Sequence, residues 1–266
     1  METVVFLHGL NTYADGLVHF GPLTFGQMSD SWKQEIEERG WNFVNVSGMG
    51  FGAVEDQAAK AIRYLDNEGV LLSNDPLHLL GHSMGGLVAR VLAHRPELQG
   101  RIRSISTIGT PHGGAEITEK AMMLETTSPW LYRIMKTFGY DVVKKRTTFE
   151  NFTTVKLLEI HEKYGALEGI RCVSFIGNAS YEQLCLPYQV IYSKLHPKGE
   201  RIESDGFISS KSQRWAEVGG EFALDHMAEI GVYLNVSSKR RAIARQEFKR
   251  LASSVIELIL VEAKRT

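Results

Sequence analysis

Leu77-His78-Leu79-Leu80-Gly81-His82-Ser83-Met84-Gly85-Gly86-Leu87-Val88-Ala89-Arg90 decides the fold. Leu77 to Leu80 read as a buried strand, Gly81 to Gly85 spell G-x-S-x-G, and apolar Val88, Val91 and Leu92 continue as a helix. A serine hydroxyl is a poor nucleophile. Holding it on a tight strand-to-helix turn exposes its oxygen, and the helix N-terminus stabilises negative charge nearby. Such a turn brings backbone segments together, and glycines on both flanks remove the Cβ atoms that would collide.

Outward from this turn, short apolar runs alternate with helical patterns, which predicts a mostly parallel sheet covered by helices on both faces. The strand candidates are Val4 to Leu7, Phe43 to Val46, Leu77 to Leu80, Ile102 to Ile108 and Ile170 to Ile176. Helices are expected over Ser29 to Arg39, ending at Gly40, over Ala53 to Asn67, and over Leu87 to His94 before Pro96. A last helix, from about Arg241 to Ala263, sets Phe248, Leu251, Val255, Leu258 and Ile259 near one face. No repeat or Gly/Ser linker divides the chain, so one domain over residues 1–266 is the simplest account.

The stretch Ala115 to Lys163 is longer than a crossover between two strands requires and reads as an insertion. Its large apolar residues, Trp130, Leu131 and Phe138 among them, must cover something. Over a catalytic site it would be a lid, with these three residues facing substrate.

Thirty basic against 31 acidic residues leave a formal charge of -1, which gives no general pull toward nucleic acid. Lys144-Lys145-Arg146 and Lys239-Arg240-Arg241 read as solvated faces. Cys172 and Cys185, the only cysteines, could be bridged or could both be reduced and packed. No leader and no apolar run long enough to span a membrane are visible, so a cytoplasmic protein is expected, a trimmed secreted form remaining open.

An activated serine needs a base to take its proton and an acid to hold that base's tautomer, and on this fold the chain order is serine, acid, histidine. His161, His196 and His226 lie far enough beyond Ser83. His226 follows the apparent last strand and precedes the final helices, where a loop can carry it over the strand ends. His161 sits in a charged stretch and reads as a surface helix residue, while His196, before Pro197, reads as a turn residue and stays an alternative. Asp205, in Ser204-Asp205-Gly206, stands between nucleophile and base, although an Asp-Gly step is also an ordinary turn. Glu203 and Asp225 compete with it. Oxyanion donors are expected from the backbone N–H groups of Met84 and Leu10, with Gly9 letting the chain approach and His8 shaping the loop.

Phe6-Leu7-His8-Gly9-Leu10, Gly81-His82-Ser83-Met84-Gly85-Gly86, Thr107-Ile108-Gly109-Thr110-Pro111-His112-Gly113-Gly114 and Ser204-Asp205-Gly206-Phe207-Ile208-Ser209, closed by His226, together resemble the bacterial lipase and esterase branch of the α/β-hydrolase superfamily. The resemblance spans most of the chain. It implies carboxylic ester hydrolysis through an acyl-enzyme, with Ser83, Asp205 and His226 as the triad and the segment after Gly114 as the lid. It also shows two departures. Ala228 stands where secreted members carry a calcium-holding aspartate, and a first strand at residue 4 implies a compact sheet without opening antiparallel strands.

The chemistry so implied needs no metal or organic cofactor, and the expected partner is a small ester or lipid met in transient contact with a lipid interface. A thioesterase or phospholipase would use the same groups. A non-catalytic binding protein on the same scaffold is the rival from another class.

Overall fold

Val4, Val5, Phe6 and Leu7 are all fully buried, so strand β1 (Thr3–Leu7) has both faces covered, as a strand within a parallel sheet must. It lies inside a six-stranded sheet of the computed structural model, which describes residues 1–9, 17–20, 23–27, 29–47, 49–115, 129, 133, 146–195, 202–235 and 237–265. The other strands are β4 (Asn42–Val46), β5 (Leu77–His82), β6 (Ile102–Ile108), β7 (Arg171–Gly177) and β8 (Glu217–Phe222). Their order is β4-β1-β5-β6-β7-β8, and every pairing is parallel. The chain runs out from β1 to the β4 edge and returns across β1 to β5, so the direction of winding reverses between β1 and β5. In sheets of this class, the carboxyl ends of the strands at such a reversal are where ligands bind.

The five strands expected from apolar runs match β1, β4, β5, β6 and β7 to within two residues at each end. β8 is the last strand, expected before His226 without bounds. It sits at the sheet edge, and its Glu217, Gly219, Gly220 and Glu221 leave no apolar run to read. A separate antiparallel hairpin of β2 (Leu17–Phe20) and β3 (Leu23–Gln27) had no counterpart in the sequence reading.

Helix α1 (Asp30–Glu37) follows Ser29, whose side chain makes no capping bond although its carbonyl accepts from Lys33 N–H at 2.7 Å. Helices α2 (Val54–Asn67) and α3 (Met84–Ala93) pack on each other, and α3 touches β1, β5 and β6. Every residue of α3 is buried, Arg90 included. It begins at Met84, directly after the serine, where the sequence reading began it at Leu87.

Helices α4 (Arg146–Glu150) and α5 (Thr154–Lys163) end the long stretch between β6 and β7. Phe149, Phe152, Leu157 and Ile160 are buried in the core, so this part of the stretch is packed into the body of the protein. Ala115 N–H donates to the Phe152 carbonyl at 3.1 Å, which brings the two ends of the intervening segment together. Trp130, Leu131 and Phe138 lie outside the described residues.

Arg90 fastens α3 to α5. Its guanidinium donates to the carbonyls of Tyr164 (2.8 and 3.0 Å) and Ile160 (3.4 Å) and to His161 Nδ1 (3.1 Å), and lies 4.6 Å from the Trp215 ring centre. His161 Nε2 in turn donates to the His112 carbonyl at 2.8 Å. His161 is thus a half-buried helix residue: the charged side chains around it are exposed, while its own ring bonds to Arg90 and the His112 carbonyl.

Helix α6 (Leu186–Leu195) follows β7, and α7 (Ser238–Ala263) closes the chain. Phe248, Leu251, Val255, Leu258 and Ile259 are buried as their spacing predicts, and the Phe248 ring meets Trp32 of α1 edge-on at 5.2 Å. Cys172 and Cys185 are free buried thiols. Burial raises the Cys172 pKa to about 11, which makes it a packing residue.

Candidate active site

Ser83 is held where few L-residues go. Its backbone is at φ 54° and ψ -128°, and Ala216 is the other described non-glycine residue with positive φ. Strain of this kind, on the order of 1–3 kcal/mol, persists only where surrounding structure imposes it. Here the Ser83 N–H donates to the Ile108 carbonyl at the end of β6 at 2.9 Å, and Gly86 N–H donates back to the Ser83 carbonyl at 3.1 Å. A Cβ on Gly81 would stand 2.5 Å from Gly86 N, so the turn closes this tightly only with glycine there. Met84 N–H, in the first turn of α3, has no helical acceptor of its own.

The end of β1 passes over the serine. A Cβ on Gly9 would lie 2.6 Å from Ser83 Cβ and 3.1 Å from its Oγ, which is the close backbone approach expected of the second oxyanion strand. Leu10 itself lies outside the described residues. His8, just before, is fully buried, and burial lowers its pKa to about 4 while its Nδ1 donates to the Gly9 carbonyl at 3.2 Å. It is a neutral, loop-shaping ring.

His226 and Asp205 meet. Nδ1 of the histidine donates to Oδ2 of the aspartate at 2.7 Å, and Asp205 is wholly buried. The other carboxylate oxygen accepts from Phe207 N–H (2.8 Å) and Ile208 N–H (2.6 Å), which closes the Asp-Gly turn. Turn residue and imidazole partner are thus one side chain in both roles. Because Nδ1–H is committed to Asp205, the neutral ring keeps its lone pair on Nε2. Burial disfavours the charged ring, yet Asp205 and Glu229 together outweigh it and raise the pKa of His226.

The histidine is also tied to the elbow. His82, one residue before the serine, donates from Nε2 to the His226 carbonyl at 3.0 Å, and the two rings lie 4.5 Å apart. The competitors are elsewhere. Asp225 accepts from Cys185, Met227 and Ala228 N–H groups, and burial raises its pKa to about 6. Glu203 is exposed, His161 is on α5 against Arg90, and His196 lies outside the described residues.

One group escaped the sequence reading. Glu229 is 1% exposed, with Oε2 at 3.1 Å from His82 Nε2 and 3.4 Å from His226 Nδ1. Burial, and then the charge of Asp205, raise its pKa to about 8. His82, His226 and Glu229 are the described trio whose ligand-type atoms come within 4.8 Å of one another, although a metal there would take the ring that Asp205 orients. A calcium site like that of the secreted lipases does not fit: Ala228 is buried and offers no carboxylate.

A parallel sheet, a strained serine between β5 and α3, and an Asp–His pair on the loops after β7 and β8 define the α/β-hydrolase fold. The chain belongs to the family described as PGAP1-like alpha/beta domain, which matches it over residues 45–203. Triacylglycerol lipase 2 of Saccharomyces cerevisiae is 26% identical over 208 residues, covering 74% of this chain and 60% of that protein. Lipase 1 of Staphylococcus aureus is 24% identical over 192 residues, covering 52% of this chain and 28% of that protein. The chain thus spans only part of the length of these relatives. Among solved structures, Staphylococcus hyicus lipase superposes with a TM-score of 0.70 at 14% identity, covering 99% of this chain and 96% of that one. The mature Bacillus licheniformis lipase BlEst2 gives 0.64 at 16%, covering 94% and 91%.

Proposed function

We propose that the protein is a serine carboxylester hydrolase, a lipase or esterase, with Ser83 as nucleophile, His226 as general base and Asp205 as its orienting acid. The observation that carries this is the 2.7 Å bond from His226 Nδ1 to Asp205, on a loop bound to the residue preceding the strained Ser83. The lipase names of both sequence relatives support the same reading.

Ser83 Oγ attacks the ester carbonyl carbon while its proton passes to His226 Nε2. The oxyanion is received by backbone N–H groups of Met84 and Leu10. Collapse breaks the bond to the alkoxy oxygen, which leaves as an alcohol with the proton from Nε2. A water then loses a proton to His226 and attacks the acyl carbon, releasing a carboxylic acid and returning the proton to Ser83. No metal or organic cofactor takes part in these steps.

Trp130, Leu131 and Phe138 belong in this proposal to a lid over an acyl pocket, within a single hydrolase domain. Transient contact with a lipid interface would draw the lid aside, so turnover of an ester should rise above its solubility limit. No described helix is long and apolar enough to cross a membrane.

A chromogenic ester series from short to long acyl chains, run beside acyl-CoA and phospholipid substrates, tests the reaction class. Ser83→Ala should reduce ester cleavage by about 10⁴-fold or more and abolish labelling by an organophosphonate. Undiminished cleavage by the variant overturns the proposal, and a wild-type protein that neither cleaves nor labels points to a binding protein on this scaffold.

A further inference from the structure

We infer that Glu229 is a positioning residue, a second carboxylate on His226 that, with His82, sets the pH at which this imidazole can accept a proton. The inference rests on the hydrolase reading above and adds a group to its machinery.

Geometry makes the case. The Glu229 carboxylate lies between two imidazoles, with Oε2 in reach of both, and Oε1 has no hydrogen-bond partner among the described residues. The room for it is made by Gly109 after β6 and Gly177 at the end of β7: a Cβ on either would collide with a carboxyl oxygen of Glu229. Its backbone is pinned as well. The Glu229 N–H donates to the Asp225 carbonyl at 3.1 Å, and Trp32 Nε1 donates to the Glu229 carbonyl at 3.2 Å.

The groups around it decide what it does. His82 faces it from the end of β5, with His8 of the β1 end behind; Asp205 approaches from the loop after β7, and Asp225 and His226 from its own loop. None of these described neighbours is a lysine or arginine. A buried carboxylate without a permanent cation is costly as an anion, so its charge is tolerated chiefly when His226 carries a proton. The two groups therefore titrate as a coupled pair. Burial raises the glutamate's own titration to about 8, below the raised pKa of His226, so the carboxylate is ionised where the ring gives up its proton.

The sign follows. An ionised Glu229 stabilises the imidazolium, and a protonated His226 cannot take the Ser83 proton. Removing that negative charge lets His226 become neutral at lower pH. Glu229→Gln keeps the shape and cannot ionise, so the acidic limb of kcat/KM on a soluble ester should move down by roughly one pH unit, the plateau changing less than about tenfold. A carboxylate that only filled space would leave the limb where it is.

A second measurement uses the wild type alone. With ¹⁵N-labelled histidine, the His226 ring resonances should titrate in two coupled steps, falling to one in Glu229→Gln. A single-step wild-type curve overturns the inference, as does an unshifted acidic limb in the variant, and the wild-type curve decides should the variant not fold. Phosphonate labelling of wild-type Ser83 keeps the two readings apart. Labelling with an unmoved limb sinks only the role of Glu229, whereas its absence sinks the hydrolase reading and leaves the coupling to be judged from the ring titration.

Discussion

Asp205 holds His226 twice: its carboxylate accepts from the ring Nδ1 at 2.7 Å, and its backbone carbonyl accepts from the His226 N–H at 2.9 Å. The backbone bond fixes the loop and the side-chain bond fixes the tautomer, so the two functions separate by mutation. Asp205→Asn keeps the backbone bond but favours the wrong tautomer, and kcat should fall by about 10³- to 10⁴-fold. Glu203→Gln, at an exposed position, should stay within about twofold of wild type in activity and within about 2 °C in Tm. Steady-state kinetics on one soluble ester, beside circular dichroism, reads both. Comparable losses in the two variants would remove Asp205 from its assigned place.

Stability should fall as pH rises from about 7.5 to 9. This window lies above the acid range in which His8, His78, His82, His112 and His161, whose pKa values burial lowers, make stability increase with pH. His226 and Glu229 both have pKa values raised above their ordinary 6.5 and 4.5 in the folded protein. Each such group favours the fold most while protonated in both states. The contribution of His226 is complete below 6.5 and that of Glu229 below 4.5; each is lost as pH passes the folded value, which for Glu229 is about 8. Differential scanning calorimetry across this range should show Tm decreasing, with the slope reduced in Glu229→Gln. The difference expected at pH 9 is about 2–4 °C for each kcal/mol involved. A Tm that rose steadily through this window would contradict the folded-state charges described here.

Arg90 should behave as a structural residue despite its charge. It is fully buried, burial lowers its pKa to about 10, and carbonyls, imidazoles and an indole face receive it without an ion pair to a carboxylate among its described contacts. Lysine cannot reproduce the fork that reaches Tyr164, Ile160 and His161 together. Arg90→Lys should therefore destabilise by about 2–3 kcal/mol, with a Tm loss on the order of 4–12 °C, while KM for a short soluble ester changes little. A thermal melt and a Michaelis curve suffice, and an unaltered melt would show that the guanidinium contacts are dispensable.

Much of the site was legible because its chemistry is local. Gly81, Ser83 and Gly85 sit within one turn, and the Asp-Gly step at Asp205 announced a turn that the structure also uses as the histidine's partner. Glu229 was not legible. In Asp225-His226-Met227-Ala228-Glu229 a glutamate reads as a solvated loop residue, and nothing nearby in sequence reveals that glycines 109 and 177 vacate space for it. His161 lies on a helix among exposed charges, as its neighbours indicate, and only the fold reveals that its ring meets Arg90. β8 was blurred because an edge strand, largely exposed, has no need of apolar alternation.

By itself the sequence determined the periodic layout of strands and helices and the order of serine, acid and histidine, because apolar spacing and glycine placement act over a few residues. Only the tertiary structure decided which carboxylate serves His226, since Asp205, Asp225 and Glu229 are similar as chemistry and differ in where the sheet's strand ends bring them. Burial then separates them further: one accepts from the ring, one caps a turn, and one is left between two imidazoles with its pKa displaced toward neutrality.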